Sequence, residues 1–489
     1  MDLTAMQAAY WTGRDWKGPG GGVSAHLHTE FQPAGLEPRR LDRAVRGLFR
    51  RHPMLRLRVT AAGQQVIQPL DDRHALRLDD LRELAPDQAQ ERLAATRRRM
   101  THQRLDIASG EAAEFRLSLL PGGEQRLHID LDMIAADPSC FGLVMDDLAR
   151  LYEDPAGIAA SEEPESCYFD YLARLPPDPA EVADREWWRA RLRDLPSPPS
   201  LPLRDQAGAP ESTRISALLP PARAAALRGL ARELRVTQTA LYLAVFAALL
   251  ARAAGDRAFR LTLPGFFRAP VMRGASRLVG DFTNILPLGL RVGPEATLAG
   301  LAREAGREIA EALSHQACPG VAVLREMSRG GQGVESAPVV FTSGLDLDGA
   351  QRQLLSPRVG RLFGRLVWSV SQAPQVALDV QVAALAEGVL LNWDLRLDAL
   401  PEDWVRAGFD ACHAALCRLA DAPDLAAAPL SDWLPAPMRM RRLGELQKAY
   451  LLGREAELPL GRTAMQEYRC YRGPLDAEAL ARRAKALIE

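Results

Sequence analysis

Long apolar runs are missing from this chain: the longest, ALYLAVFAALLA at 240–251, stops well short of the ~20 residues that a bilayer span requires. It reads as a buried core helix. Charge of one sign is missing too, with 61 basic side chains against 62 acidic ones among 489 residues, which excludes a bulk pull towards nucleic acid or a membrane surface. Only six cysteines occur, at 140, 167, 318, 412, 417 and 470, too few and too scattered for a disulfide framework. None forms a CxxC pair, and Cys412 and Cys417, five apart on an expected helix, face different ways, so no metal site is expected. The glycine-rich runs Gly18–Gly22 and Gly330–Gly333 lack the Lys-Ser/Thr ending of a phosphate-binding loop and read as turns. Residues 1–16 carry Asp2, Arg14 and Asp15 without an apolar core segment, so a cytoplasmic protein is expected.

What is present begins with 127–152, LHIDLDMIAADPSCFGLVMDDLARLY. Leu127, Ile129, Leu131 and Met133 alternate with polar residues as in a half-buried strand, and Phe141, Val144, Leu148 and Leu151 then recur at helical spacing. Asp132 and Asp137 fall in the turn between, where a carboxylate serves either as a helix cap or as part of a site. The alternation predicts further strands over 23–31, 55–59, 113–119 and 125–133, with helices over 37–51 and 86–103. A Pro-rich, charged stretch over 154–204 marks a boundary. Beyond it, strands are expected over 214–219, 259–263, 284–292, 339–342, 366–370, 376–382 and 389–393, and helices over 221–234, 237–254 and 401–420, with Thr237 or Thr239 capping the second. On these grounds the class is α/β in two halves. His26 and His28, on one strand face with Glu30, read as partly exposed, and Arg97-Arg98-Arg99 as a solvated helix face or a docking patch.

Seven separated segments carry a resemblance. Asp132-Met-Ile-Ala-Ala-Asp137 resembles the DxxxxD signature of heterocyclization domains, the branch of the nonribosomal peptide synthetase condensation superfamily in which it replaces HHxxxDG. QAAYWTGR at 7–14 with GVS at 22–24, HPMLR at 52–56, RLVGDFTN at 277–284, PVVFTS at 338–343, SQAPQVALDVQ at 371–381 and LLNWD at 390–394 are similar to further motifs of that family in the same order. The pattern's Ser, three residues after the second Asp, is here Cys140, with Ser139 one residue earlier. Where the family has Asn before the Arg that follows a strand, this chain has Phe267 before Arg268.

The resemblance implies a pseudo-dimer of two chloramphenicol-acetyltransferase-like lobes around a central tunnel, with lobes at 1–175 and 176–434. It implies condensation of a carrier-bound acyl or aminoacyl donor with carrier-bound Cys, Ser or Thr, then cyclodehydration to a thiazoline or oxazoline. Thr342 and Asp379 occupy the family's cyclodehydration pair, while Met133 stands where the amide-forming branch has its second His and offers no proton chemistry. Asp132, Asp137, Ser139, Cys140 and Arg268 are implied to shape the site, Asp137 by pairing with Arg268. Asp281, Ser343, Gln372, Gln375 and Trp393 are tunnel candidates. No cofactor is implied beyond the phosphopantetheine arms of upstream donor and downstream acceptor carriers, and neither nucleic acid nor membrane is an expected partner. A member that only condenses, or a carrier-binding scaffold without catalysis, are the other readings.

The last segment contains a repeat. LQKAYLLGR at 446–454 repeats MQAAYWTGR at 6–14, and GPLDAEALAR at 473–482 repeats GLEPRRLDR at 35–43 at nearly the same offset. Residues 435–489 are therefore expected to be the truncated start of a second, related domain in a tandem arrangement.

Overall fold

The computed structural model describes residues 1–435 apart from 18–19, 155, 157–166, 177, 205–209, 330–337 and 347–353. The repeat over 446–482, Cys470 and the run Gly330–Gly333 lie outside the described residues. In chain order the first strands are β1 (His26–Gln32), β2 (Leu57–Val59), β3 (Gln65–Ile67), β4 (Arg77–Asp80), β5 (Ala113–Leu119) and β6 (Gln125–Asp132). After them come β7 (Ser212–Leu219), β8 (Ala258–Phe266), β9 (Thr283–Arg291), β10 (Val339–Gly344), β11 (Arg365–Gln372), β12 (Leu378–Leu385) and β13 (Gly388–Arg396). They build a five-stranded sheet in the order β11-β1-β6-β5-β4, a six-stranded sheet in the order β7-β13-β12-β10-β8-β9, and a small β2-β3 pair.

Each sheet buries one apolar face, and the helices are cut to match. Helix α2 (Pro38–Arg51) starts where Glu37 accepts from the Arg39 and Arg40 amides, with Pro38 in the first turn, where its missing N–H costs nothing. Its buried stripe, Leu41, Ala44, Val45, Leu48 and Phe49, packs with Phe31, Leu127 and Ile129 of the first sheet and with Phe141 and Val144 of helix α4 (Phe141–Glu153). In the second lobe the helix Gln238–Ala254 is buried along all its sides, as its unbroken apolar run requires, and Thr237 caps it by accepting from the Ala240 amide at 3.1 Å. Among the described residues no single helix is long and apolar enough to cross a membrane.

The elements expected from periodicity are present with ends shifted by a few residues. The differences lie in what was not foreseen. The Pro-rich stretch over 154–204 contains two short helices, Tyr168–Arg174 and Glu181–Arg191. Tyr168 and Tyr171 anchor the first in one core and Trp188 anchors the second in the other, so the connection is pinned at both lobes. The helix Leu298–Ser314 and the edge strand β4 were also missed, the latter because Arg77–Asp80 shows no apolar alternation. Finally, β11 lies within the second half of the sequence but completes the first sheet, pairing antiparallel with β1 from Gln372 opposite His26 to Arg365 opposite Gln32.

Candidate active site

Alternation along β12 and β13 sets the site. Val380 and Val382 turn to the second core, so Asp379 and Gln381 turn the other way, into a cavity of about 1460 Å³ whose walls come from both sheets. β10 runs parallel to β12 and presents Thr342 to the same cavity, while its neighbour Phe341 is buried. Thr342 Oγ1 donates to Asp379 Oδ1 at 3.0 Å, and Gln381 Nε2 donates to Asp379 Oδ2 at 2.7 Å. Burial, reinforced by the nearby Asp394 carboxylate, pushes the Asp379 carboxyl up to about 7, despite the opposing hydrogen bonds. A carboxyl so placed can both give and take a proton near neutrality.

The two aspartates of the turn stand behind the wall rather than on it. Asp132 ends β6 and is ion-paired with Arg14, which also donates to the Leu105 carbonyl. Asp137 caps a single 3-10 turn: Oδ1 accepts from Ser139 Oγ at 2.6 Å and the Cys140 amide at 3.2 Å, and Oδ2 accepts from the Phe282 amide at 2.6 Å. The expected direct pairing of Asp137 with Arg268 is corrected. Arg268 donates to Ser139 Oγ at 3.2 Å and Cys140 Sγ at 3.1 Å, and stacks over Phe282, so Ser139 bridges the two charges. The Ser and Cys of this loop thus both touch the guanidinium. Burial pushes the Cys140 thiol up to about 12, which leaves it inert as a nucleophile. Gly280 closes the arrangement from the other side: its carbonyl accepts from the Asp137 amide at 3.1 Å, and a Cβ there would sit 2.2 Å from the Tyr168 ring.

The tunnel candidates divide. Ser343 and Gln375 line the cavity, Ser343 sharing a 2.6 Å hydrogen bond with Thr239 and Gln375 holding a left-handed backbone (φ 67°) with its amide on the Gly20 carbonyl. Asp281 lies behind the wall, accepting from Thr4 Oγ1 at 3.3 Å and the Thr283 amide at 3.2 Å, and burial beside Asp137 pushes it up to about 8. Gln372 is not at the tunnel: it is buried at the edge of the first sheet, donating to the Thr101 carbonyl and accepting from Ser212 Oγ at 2.8 Å each. Trp393 is not there either. One residue out of phase with Asn392 and Asp394, it points into the second core, edge-on to Phe246 and Phe409. Three residues that bear on the site were not singled out, Gln381, Asp394 and Arg214; counting by twos from Asp379 along its strand, and across to LLNWD, would have reached the first two.

A second polar group, buried between the first sheet and helix α3 (Pro86–His102), was misread. His26 and His28 are fully buried rather than partly exposed: His26 Nδ1 lies 2.6 Å from Asp130, and His28 Nδ1 lies 3.2 Å from Thr101 Oγ1. Arg98 and Arg99 are exposed as expected, although Arg99 also reaches Glu114, whereas Arg97 is half-buried and forks onto Glu30. His28 Nε2 and His128 Nδ1 approach Glu30 Oε1 at 3.9 and 3.5 Å, a spacing that three metal ligands could have. Glu30 is already neutralised by Arg97 and Arg126, however, so a divalent ion would add two positive charges to a group that already carries one in excess.

Comparison with known proteins places this geometry. Residues 3–341 match the family model of the condensation domain. The chain is 39% identical over 449 residues to the phenyloxazoline synthase MbtB of Mycolicibacterium paratuberculosis, covering 90% of this chain and 37% of that protein. It is 34% identical over 461 residues to the pyochelin synthetase PchE of Pseudomonas aeruginosa, covering 93% and 31%. It thus spans about a third of the length of these curated relatives. Among solved structures, the EpoB NRPS cyclization-docking bidomain from Sorangium cellulosum superposes with a TM-score of 0.77 at 28% identity, over 86% of this chain and 84% of that one. The first condensation domain of the calcium-dependent antibiotic synthetase shares the fold, with a TM-score of 0.67 at 20% identity, over 88% and 98%. The two lobes and the cavity between them are the chloramphenicol-acetyltransferase-like pseudo-dimer with its central tunnel.

Proposed function

This chain belongs to the condensation-domain family, and from that premise we propose that it is a heterocyclization domain of a nonribosomal peptide synthetase. It joins an acyl or aminoacyl donor to Cys, Ser or Thr, both delivered as phosphopantetheine thioesters by upstream and downstream carrier proteins, and closes a thiazoline or oxazoline. The chain itself binds no cofactor in this reading. Residues 1–175 and 176–434 form its lobes, and 435–489, whose sequence repeats the opening, belongs to a second, related unit.

The observation that carries the reading is the Thr342–Asp379 hydrogen bond at the cavity wall, with Asp379 poised near neutrality. Amide formation needs chiefly that amine and thioester be held together, which the cavity supplies by orientation. Ring closure needs proton transfers. The side-chain thiol or hydroxyl attacks the amide carbonyl carbon and passes its proton to the oxygen, giving a tetrahedral carbon with a hydroxyl. The C–O bond then breaks as the hydroxyl takes the Asp379 proton and departs as water. The nitrogen proton passes to the Asp379 carboxylate as the C=N bond forms, and the carboxyl is regenerated. Thr342 fixes the carboxyl's rotation. Retention of this pair on the cavity favours catalysis over a carrier-binding scaffold.

The test is a mass-spectrometric assay with loaded carriers. Wild-type product should be lighter than the linear amide by one water. Asp379→Asn should accumulate the linear amide with ring closure slowed by about 100-fold or more. Ring formation at the normal rate in that variant would defeat the assignment.

A further inference from the structure

We propose that Asp394, clamped by Arg214, is a positioning residue for ring closure: acting through the Gln381 amide, it fixes the rotation of Asp379 and the pH range over which that carboxyl works. The proposal rests on the heterocyclization reading above and assigns a role to Asp394, which lies behind the cavity wall.

The geometry is a ladder across three strands. Asp379 on β12 lies directly opposite Asp394 on β13, which lies directly opposite Arg214 on β7. Arg214 forks onto both Asp394 oxygens, and its Nη2 also donates to Gln381 Oε1 at 3.0 Å. That last bond decides which way the Gln381 amide faces. With its oxygen held by the guanidinium, its nitrogen must point at the carboxylates, and Nε2 donates to Asp379 Oδ2 at 2.7 Å and Asp394 Oδ2 at 2.8 Å. The Ser371 amide adds a donor to Asp394 Oδ2 at 2.8 Å. Asp379 therefore receives one donor on each oxygen, Gln381 on one and Thr342 on the other, and neither donor is charged.

Charge in the ladder is unbalanced by design of the sequence: two carboxylates share one guanidinium. Asp394 is deeply buried behind the wall, whereas Arg214 and Asp379 both border the cavity. Among the described residues the charged groups acting on Asp379 are Asp394 on β13 and Arg214 on β7, while Thr342 on β10 and Gln381 on its own strand are neutral. The guanidinium forks onto Asp394 and reaches Asp379 only at a remove, so the Asp394 carboxylate raises Asp379 while Arg214 lowers it more weakly. A carboxyl that must give a proton and take one back in the same cycle gains from being held between the two states. The opposing charges accomplish that, Asp394 from behind the cavity wall and Arg214 from its edge.

Opposite displacements follow, and they form the test. Ring closure is measured as the ratio of cyclised product to linear amide on loaded carriers across pH 6 to 9 in steps, alongside melting temperature. Asp394→Asn leaves Arg214 to act on Asp379 alone, so the limb governed by Asp379 should move to lower pH by about one unit or more. Arg214→Gln leaves two carboxylates facing one amide, and the same limb should move up. The double variant removes both charges and leaves neither unpaired, so its limb should return towards the wild-type position even where a single variant folds poorly. Asp394→Glu should restore part of the wild-type profile. Limbs that stay in place while rates fall, or that move in the same direction in both single variants, overturn the proposal. Asp379→Asn separates the two levels: a normal ring there defeats the heterocyclization reading itself. A linear amide there, with an unmoved limb in Asp394→Asn, defeats only the positioning role.

Discussion

Two buried polar layers, one in each lobe, differ in how their charges are matched. Under helix α3, Glu30 and Glu114 each meet dedicated cations, Arg97 with Arg126 and Arg99 with Arg116, and Asp130 meets the His26 ring. Burial alone would raise Glu30, but the hydrogen bonds from Arg97 and the close approach of His128 outweigh it and hold its carboxyl well below the usual range. Glu114 is lowered in the same way, chiefly by Arg99. On the cavity, Asp379 and Asp394 share Arg214 alone, and burial raises both. A fully matched layer stays ionised and contributes structure; an undermatched one facing a cavity keeps a proton available. Burial is similar in the two places, so charge count rather than burial separates scaffold from chemistry.

That comparison can be broken most forcefully at Glu30. Glu30→Gln should destabilise the protein by about 3 kcal/mol, because it leaves the buried Arg126 and the half-buried Arg97 without their carboxylate, and denaturant unfolding will measure the loss. A change under 1 kcal/mol would show that the layer is hydrated and that its matching counts for little.

The opposite behaviour is expected at Asp379. Its folded-state pKa of about 7 lies above the ordinary carboxylate value, so between roughly pH 4 and 7 the folded chain holds a proton that the unfolded chain has lost. Stability therefore falls as pH rises through that window, and at pH 8 the whole penalty of a buried charge is present. Asp379→Asn removes that penalty, so the variant should melt higher than wild type at pH 8 and the gap should close towards pH 4. For Glu30, whose pKa is lowered, the stabilising contribution is present above the ordinary carboxylate range and is lost only as pH falls below it. Melting curves of both variants from pH 4 to 8 should thus diverge from wild type with opposite signs. The smallest effect should come from Thr342→Ala, which slows ring closure by roughly tenfold, since water can take over part of the hydroxyl's hydrogen bond.

Much of this architecture was readable from periodicity, because Ala113–Leu119 and Gln238–Ala254 each carry a pattern that only one kind of element satisfies. Thr342 and Asp379 were found through the wording of their neighbours, PVVFTS and QVALD; as an isolated strand threonine and aspartate they have no distinguishing signal. The errors share a cause. Trp393 was placed at the tunnel by nearness in sequence, though alternation sends it to the opposite face from Asp394. Polar residues on one side of a strand or helix ordinarily face solvent, a rule that fails for His26, His28 and Arg97 but holds for Arg98 and Arg99. Only the pairing of α3 with the sheet, through contacts 67 residues apart such as Arg97 to Glu30, makes a dry polar layer possible, and no local pattern announces it. Arg268 failed for a subtler reason: the residues were right, but Ser139, one position early in the motif, inserted itself between the charges.

The placement of β11 has a consequence for how this chain comes to be folded on the ribosome. Strand β1 emerges early, with one edge paired to β6 and the other open until residues 365–372 have been made. At synthesis rates of roughly 5–20 residues per second, that edge waits on the order of tens of seconds for its partner. During this interval the nascent first sheet presents a row of unsatisfied amides and carbonyls to any strand that passes, its own neighbours on a polysome included. The first lobe cannot finish by itself. Its completion is deferred to the second, which makes the two lobes a single folding event and places the interval of greatest exposure to misassembly in the middle of translation.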